Sequence, residues 1–219
     1  TLITQTTDKA IINWRGFNID LNELVKFIQP GPNSVDLNRV TGADPSSILG
    51  QLIANGRVFL VNPNGIVFGA GSKVDVAGLM ASTFDVSNND FLSGKYDFLQ
   101  RADKDPSYVI NKGEIRVAKN GFVFLVAPGV KNEGLIIAEI GKVALASGNQ
   151  FTVDFNGDGL ITYGVSGKVI DKVRGPDGKP LTSAVSNSGK IDARGGQVLL
   201  TGDAAKEVFS SVVNNDGII

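Results

Sequence analysis

Short apolar runs, each long enough for one β-strand, recur along the chain in two repeated phrases. The first begins with Gly and continues through Val into mostly apolar residues; it occurs at 56–61 (GRVFLV), 121–126 (GFVFLV), 141–146 (GKVALA) and 196–201 (GQVLLT). The second is Asn-x-Gly-x-Ile, and it occurs at 111–115, 132–136, 187–191 and 215–219. Self-similarity at such a short period is the sequence signature of a solenoid.

The spacing of the phrases predicts an all-β solenoid, a parallel β-helix. Asn111 and Asn132 are 21 residues apart, and Gly121 and Gly141 are 20 apart, which is about the length of three short strands with tight turns. Stacked coils would place Asn above Asn, with every strand pairing to the coils above and below at about 4.8 Å. Parallel strands buried by their neighbours also explain continuous apolar phrases in place of strict alternation.

Two stretches interrupt the repeats within what we interpret as one domain over 1–219. The stretches are charged and aromatic (84–110) or rich in Asp, Asn, Gly and Pro (150–186), and insertions in solenoids form loops or hairpins on one side. The predicted order is a cap and first strands at 1–46, first coils at 47–83, an extra-helical insertion at 84–110, coils at 111–149, an extra-helical hairpin and loop at 150–186, and coils at 187–219 that continue beyond the sequence.

The first 50 residues carry a mixed pattern. Apolar residues within 20–28 (DLNELVKFI) are spaced as on one face of a short helix, which Pro30 would end. Residues 44–55 begin with Asp-Pro, as helices often do, but apolar residues alternate over 47–54, which we interpret as strand. We expect the early segment to cap the β-helix, because an open solenoid end exposes strand edges.

Composition narrows the classes of function. The net charge is −1 and no basic stripe occurs, which argues against nucleic acid or an anionic membrane surface as partner. The chain has no Cys and no His, which excludes disulfides, thiolate metal sites, cysteine nucleophiles and His-based triads. No apolar run approaches the ~18 residues of a membrane-spanning helix. A Cys-free chain also suits a protein that crosses an oxidising periplasm unfolded.

The run at 52–71 is interrupted by Asn62, Pro63, Asn64, Gly65 and Ile66. A ligand loop and a corner between two strands of one coil would both use such residues. The corner is favoured, because Pro presets φ, Gly supplies positive φ, and Asn side chains bond to nearby backbone. We hypothesise that the two asparagines satisfy backbone groups and fix the first coils, and so affect function through folding.

A calcium loop is suggested by Asp154, Asn156 and Asp158, which match its first, third and fifth positions. Val165 occupies the twelfth position, where the strongest ligand should be a bidentate Glu. An ordinary turn is therefore the favoured interpretation, and no cofactor is predicted.

Other candidate sites are weaker. Acidic residues that could serve in catalysis are plentiful, but the sequence does not place any two of them as a general acid and a general base. These residues are Asp85, Asp90, Asp97, Asp154, Asp158 and Asp192. Trp14 and Phe17 could stack on a sugar, although core packing is the commoner role of such a pair. We therefore predict that the chain is not an enzyme.

The early motifs resemble a known family. INWRGFNID (12–20), NRVTG (38–42) and the stretch from Gly50 to Thr83 around the pentad, with the Asn-x-Gly-x-Ile coils, are similar to the N-terminal secretion domain of two-partner-secretion exoproteins, the filamentous haemagglutinin family. The likeness is closer to its high-molecular-weight adhesin branch. It covers essentially the whole chain and is strongest over 10–83.

The resemblance implies a right-handed parallel β-helix with extra-helical hairpins, at the start of a large exoprotein of a Gram-negative bacterium. It implies recognition in the periplasm by an outer-membrane β-barrel transporter with POTRA domains, a C-terminal passenger, and a final location outside the cell or on its surface. The host cell surface is a further candidate partner. The targeting segment is expected to have been removed, since the chain begins at Thr1 without a signal peptide.

The resemblance also assigns motif residues. The family pentad falls on 62–66. The filamentous haemagglutinin branch carries an upstream Asn-Pro-Asn-Leu motif, where this chain has Asn38, Arg39, Val40 and Thr41. That departure suits the adhesin branch and weakens any transfer of partner-contact residues. The turn asparagines of the coils, Asn111, Asn132, Asn187 and Asn215, complete the candidate set.

Two other classes of function stay open at this point. The domain itself could bind a host surface or glycan, which an exposed aromatic groove would support. Alternatively it could be a polysaccharide lyase or hydrolase, which would need a cleft with converging carboxylates and Arg or Lys.

Overall fold

The computed structural model describes residues 1–155 and 161–219 and is built almost entirely of strands, numbered here in chain order. Three parallel sheets run side by side. Sheet A contains β1 (Leu2–Thr4), β3 (Leu24–Ile28), β6 (Gln51–Ala54), β9 (Lys73–Val76), β13 (Glu114–Val117), β16 (Leu135–Ile137) and β21 (Lys190–Asp192). Sheet B contains β2 (Lys9–Trp14), β4 (Val35–Val40), β7 (Arg57–Val61), β10 (Gly78–Ser82), β14 (Phe122–Val126), β17 (Lys142–Ser147) and β22 (Gln197–Gly202). Sheet C contains β5 (Ser46–Ile48), β8 (Ile66–Phe68), β12 (Tyr108–Asn111), β15 (Gly129–Asn132), β20 (Ser183–Asn187) and β23 (Ser211–Asn215).

The chain passes through sheets A, B and C in turn. Each new strand is parallel to the strand of the previous coil in the same sheet. Leu60, for example, pairs with Asn38 of the coil before and with Ala81 of the coil after. We number the coils 1 to 7 by the order of their strands in sheet B. This architecture is a parallel β-helix, which confirms the fold predicted from the repeats.

The repeated Gly phrase forms strands of sheet B, and both faces of that sheet are covered at β7, β14 and β17. Val58 and Leu60 point into the interior of the β-helix, whereas Phe59 and Val61 belong to a second apolar cluster on the outer face. All four side chains are fully buried. Burial on both faces is the reason that these strands read as unbroken apolar runs.

The two insertions join to form the cover of sheet B. Both leave the β-helix at the corner between sheets B and C, one in coil 4 and the other in coil 6. The first contributes helix α1 (Asn88–Ser93) and β11 (Tyr96–Leu99), and the second contributes the hairpin of β18 (Gln150–Phe155) and β19 (Ile161–Ser166). β11 pairs antiparallel with β18, so the extra-helical strands form one three-stranded sheet. The predicted segment 150–186 overlaps β20, which already pairs with β15 of coil 5.

The N-terminal segment differs from the prediction in one element. The helix expected over 20–28 is wrong, because 24–28 form strand β3, in which Val25 and Phe27 are buried and Leu24 and Ile28 are exposed. Burial there follows period two, and the helical spacing includes side chains that face solvent. The segment 1–46, predicted to hold a cap and first strands, supplies strands β1 to β4 of the first two coils. The strand interpretation of 47–54 is confirmed, although Leu49 and Gly50 separate β5 from β6.

Candidate functional site

The Asn-Pro-Asn-Gly-Ile pentad is the corner between sheets B and C in coil 3. It follows β7 and leads into β8. A backbone hydrogen bond from Gly65 N to Asn62 O (3.1 Å) closes the turn. Gly65 has φ 119°, and a Cβ there would lie within about 3 Å of Ser107 and Tyr108. Both constraints favour glycine at this position.

The two asparagine side chains bind the corner of the coil beneath them. Asn62 Nδ2 donates to Asp44 O and to Ser46 Oγ, both at 3.0 Å. Asn64 Nδ2 donates to Gly42 O at 2.9 Å. Asn62 Oδ1 in turn accepts from the backbone N (3.0 Å) and the side-chain Nδ2 (3.0 Å) of Asn64. The corner of coil 3 is thereby locked onto that of coil 2.

The first insertion reaches over the same corner. Lys104 Nζ donates to Asn64 Oδ1 at 3.1 Å. A shallow cavity of about 420 Å³ lies between the pentad and the end of the insertion, with Pro63, Asn64, Lys104 and Ser107 among its lining residues. The corner is therefore contacted both by the coil below and by the cover of sheet B.

The second candidate motif, residues 38–41, lies on β4 and at its end. Its side chains point in alternating directions. Arg39 faces outward and binds the first insertion through Asp85 Oδ1 (2.7 Å), Asn88 Oδ1 (2.7 Å) and Val86 O. Only 11% of the Arg39 side chain is exposed. Val40 is buried in the interior, and Thr41 donates to the backbone O of Trp14 in coil 1 from both its N (2.8 Å) and its Oγ1 (2.9 Å).

Asn38 points inward and belongs to a polar row inside the β-helix. Trp14 Nε1 donates to Asn38 Oδ1, and Asn38 Nδ2 donates to Asp36 Oδ1, both at 2.9 Å. Asp36 is fully buried, and its Oδ2 has no hydrogen-bond partner among the described residues. Burial raises the pKa of Asp36 to about 8, and the hydrogen bond from Asn38 opposes this shift only in part.

The sequence reasoning missed Asp36 and the contacts of Arg57 and Lys9 with the cover. Alignment of VDLNRV (35–40) with RVFLV (57–61) would have placed Asp36 over Val58, an inward position.

The Arg57 guanidinium lies 4.7 Å from the ring centroid of Phe155 and 5.8 Å from that of Phe122. Burial lowers the pKa of Arg57. Lys9 Nζ donates to Leu92 O (2.8 Å) at the end of α1.

The four turn asparagines form one hydrogen-bonded ladder at the corner between sheets C and A. Asn111 Nδ2 donates to Asn132 Oδ1 (2.8 Å), Asn132 donates likewise to Asn187 (2.7 Å), and Asn187 to Asn215 (2.7 Å). The first three are buried, and Asn215 is exposed. The stacking of Asn on Asn expected from the repeats is thus confirmed.

The calcium candidate can be followed only in part. Asp154 is exposed in β18, where it pairs with Thr162 of β19. Asn156 and Asp158 lie outside the described residues. Within 1–155 and 161–219, no group of three or more acidic side chains is placed to hold a metal ion.

The other acidic candidates make separate local contacts. Asp85 binds Arg39, Asp97 accepts from Thr152 Oγ1 (2.8 Å), and Asp192 pairs with Arg194 (2.9 Å). Asp90 accepts from Ser87 Oγ (2.6 Å) at the start of α1. Asp90 and Asp192 thus make contacts within their own segments, whereas Asp85 and Asp97 each join two elements.

The aromatic pair Trp14 and Phe17 packs edge to face at 5.4 Å between ring centroids. Phe17 is buried, and Trp14 packs against the same interior cluster. Core packing is therefore the role of this pair that the contacts support. No helix in the described part of the chain is both long and apolar enough to span a membrane.

The comparisons with known proteins agree on one family. The sequence profile of the TPS secretion domain matches residues 1–219. A heme/hemopexin-binding protein of Haemophilus influenzae strain Rd is 42% identical over 158 residues, 68% of this chain and 17% of that protein. A second heme/hemopexin-binding protein of Haemophilus influenzae is 34% identical over 238 residues, 99% of this chain and 24% of that protein. The chain thus spans less than a quarter of these relatives.

One solved structure extends the comparison to the fold. The crystal structure of the HMW1 secretion domain from Haemophilus influenzae has a TM-score of 0.73 and is 33% identical in sequence. The match covers 97% of this chain and 60% of that chain.

Proposed function

The chain belongs to the TPS secretion domain family, and we propose that the POTRA domains of an outer-membrane transporter recognise it in the periplasm, after which it seeds β-helix folding of the exoprotein. Membership of the family implies a secreted exoprotein, export through the periplasm, an outer-membrane transporter as partner and a passenger in the same exoprotein. The family is one of secretion domains and not a known class of enzymes.

The observation that carries the folding part of the proposal is the bonding of the pentad to the previous coil. A solenoid is stabilised by interfaces between neighbouring repeats, so a coil that is locked onto its predecessor can support the next. The pentad makes three such side-chain bonds, to Gly42, Asp44 and Ser46. Folding on the far side of the membrane would then bias movement outward without ATP in the periplasm.

Secretion is the direct test of transporter dependence. The domain would be expressed with a signal peptide in a Gram-negative host, with and without the outer-membrane transporter encoded beside it. We expect the domain in the medium only when the transporter is present. Folded domain retained in the periplasm in both cases would contradict the proposal.

The role of the pentad is tested by Asn62→Ala together with Asn64→Ala, with the exposed Asn22→Ala as matched control. Loss of several hydrogen bonds to buried groups should cost about 2–4 kcal/mol of unfolding free energy. We expect the thermal midpoint and the secreted fraction to fall together in the double variant and neither to change in the control. Lost secretion with an unchanged midpoint would instead make the pentad a contact for the transporter.

The names of the relatives raise a second candidate, binding of heme or hemopexin by the longer protein. This chain has no His and no Cys, and its one Met, Met80, is fully buried, so the commonest axial ligands for heme iron are absent or enclosed. We therefore assign any such binding to the passenger. When the domain is titrated with hemin, we expect the visible spectrum of hemin to show only nonspecific binding. A saturable spectral shift at 1:1 stoichiometry would overturn this assignment.

Attachment to a host surface or glycan is the remaining alternative for the domain itself. The one candidate aromatic pair, Trp14 and Phe17, is committed to core packing. A glycan array with the isolated domain distinguishes this function from secretion, because only direct binding would give a signal.

A further inference from the structure

The corner between sheets A and B carries the same dipeptide in two coils. Asn55 and Gly56 precede β7 in coil 3, and Asn120 and Gly121 precede β14 in coil 5. Glycine is required in coil 5, because a Cβ on Gly121 would lie 2.3 Å from Ala77 O of coil 4. Asparagine followed by glycine is the sequence that deamidates most readily, since glycine has no side chain to shield its backbone N from the amide carbon.

Asn120 is exposed, and its side chain is free to move. Its backbone has φ 64°, in the left-handed region where glycine, asparagine and aspartate are the common residues. The backbone N of Asn120 donates to Glu139 O of coil 6 (3.1 Å), but its side-chain amide makes no hydrogen bond within residues 1–155 and 161–219. The left-handed corner thus favours asparagine, the approach of Ala77 requires glycine at 121, and no described residue restrains the amide.

Asn55 is also exposed, but its amide is bound at both ends. Its Oδ1 accepts from Gln29 N (2.7 Å), and its Nδ2 donates to Gln29 O (2.8 Å). The side chain is therefore fixed to the backbone of coil 2, and rotation of the amide toward Gly56 N would break both bonds. The two corners share a dipeptide and differ in whether the amide is held.

The pentad contains a third Asn-Gly step, at Asn64 and Gly65, and its amide is held as well. Asn64 Nδ2 donates to Gly42 O (2.9 Å) and to Asn62 Oδ1 (3.0 Å). Asn64 Oδ1 accepts from Lys104 Nζ at 3.1 Å. A reaction at this step would also have to break more than one hydrogen bond.

We propose that Asn120 is a site of spontaneous deamidation in the folded domain, whereas Asn55 and Asn64 are protected by their hydrogen bonds. Gly121 N attacks Cγ of Asn120 and loses its proton to solvent. The bond from Cγ to Nδ2 breaks, and Nδ2 takes up a proton and leaves as ammonia, so a succinimide ring remains. Water then opens the ring at either carbonyl, which gives aspartate or isoaspartate without any oxidation or reduction.

The reaction requires local opening of the corner, because Gly121 N donates to Ala118 O (2.8 Å) in the closed form. Exposed corners of a folded domain open far more often than its core unfolds. Asn55 and Asn64 face the additional loss of their side-chain bonds. The modification is independent of the secretion role proposed above.

Deamidation would change the contacts of coil 5 with both neighbouring coils. Isoaspartate adds one atom to the backbone between two contacts, the bond from residue 120 to Glu139 O and the packing of Gly121 on Ala77 O. The lengthened backbone cannot keep both contacts in register, so we expect the corner to open more readily. Aspartate keeps the backbone length and tolerates the left-handed φ, and it adds only a negative charge.

The test measures deamidation at each Asn-Gly step separately. The purified domain is incubated at pH 8, digested at mildly acidic pH and analysed by mass spectrometry of its peptides, which also keeps a fourth step, at 156–157, apart from the others. Labelling by protein L-isoaspartyl methyltransferase detects isoaspartate. In the folded domain we expect Asn120 to react at least about tenfold faster than Asn55 or Asn64, because each of those must lose two or more further hydrogen bonds. In urea the three should react at similar rates.

Two variants at position 120 provide the controls. Asn120→Gly keeps a left-handed corner and removes the amide, so it should abolish isoaspartate in the peptide that spans 120–131 and leave the thermal midpoint unchanged. Asn120→Asp represents the other product. We expect hydrogen exchange of Gly121 N–H to be faster in the isoaspartate fraction of the parent than in either freshly purified variant.

The proposal is overturned if Asn120 remains intact in the folded domain while it reacts in urea. It is also overturned if Asn55 and Asn64 react as fast as Asn120 in the folded domain. Unchanged exchange of Gly121 N–H in the isoaspartate fraction would contradict the expected effect on the corner. None of these measurements involves the transporter, so failure here is distinguishable from failure of the secretion assay.

Discussion

Coils 1–3 and coils 4–7 differ in where their buried polar residues lie. In the later coils the interior beneath sheet B is apolar, and the amides stand in one repeated column from Asn111 to Asn215. In the early coils that column is apolar, and polar groups such as Asp36 and Asn38 lie inside the β-helix. The same architecture thus tolerates buried polar groups both as a periodic ladder and as a set of individual contacts, but only the ladder can be extended coil by coil.

The largest expected effect comes from breaking the ladder in its middle. Asn132→Ala removes the acceptor of Asn111 and the donor to Asn187, so two buried groups lose their partners. Such losses cost about 1–3 kcal/mol for each group, so we expect a loss of roughly 2–6 kcal/mol. Urea unfolding measures it, with the half-buried Lys131→Ala as control at under about 1 kcal/mol. An equal loss in both variants would contradict the ladder's importance.

The interior of the early coils should respond to pH. The pKa of Asp36 is raised to about 8 by burial, so the folded state holds a proton that the unfolded state releases above its ordinary pKa. The contribution of Asp36 to stability is therefore full below the ordinary pKa of an aspartate and is lost progressively as the pH rises toward 8.

Asp36→Asn removes this titration while keeping the shape of the side chain. We expect the variant to match the parent near pH 4 and to become progressively more stable than the parent toward pH 8. Thermal melts across this range, with Asp75→Asn on the exposed face of β9 as control, measure the difference. A constant difference at every pH would show that Asp36 is ionised in the folded protein.

The smallest expected effect concerns the cover that crosses from the later coils to the early ones. Arg39→Ala removes the partner of Asp85, Val86 and Asn88, at about 1–2 kcal/mol for a partly exposed pair. We expect faster proteolysis within 84–107 at an almost unchanged thermal midpoint. Arg39→Lys should restore part of the protection, because it keeps the charge but not the planar fork. Unchanged proteolysis would show that Lys9 and Arg57 hold the cover without Arg39.

The difference between the regions also explains which features could be predicted from the sequence. The Asn-x-Gly-x-Ile corners were visible because each coil repeats the residue that bonds to its neighbour. The early coils repeat nothing of the kind, so the local pattern predicts helix where β3 forms and does not single out Asp36. The pairing of β11 with β18 joins segments about 50 residues apart, and no local pattern encodes such a contact.

The pentad is intermediate between the repeated corners, which the sequence predicts, and the contacts of the early coils, which it does not. Its turn chemistry predicted a corner, and the asparagines were expected to satisfy backbone groups. The groups that they bind lie about 20 residues earlier, at Gly42 and Asp44. That distance is one coil, so the contact follows from the period of the solenoid once the fold is known.

Residue-resolved hydrogen exchange at pH 5 and pH 8 tests the contrast between the regions most directly. Solenoids open locally from their ends, so each coil reports its own stability. After correction for the intrinsic exchange rate, we predict that the free energy of opening falls with rising pH in coils 1 and 2 and stays constant in coils 4–6. An equal fall in both regions, or a fall confined to coils 4–6, would contradict the account.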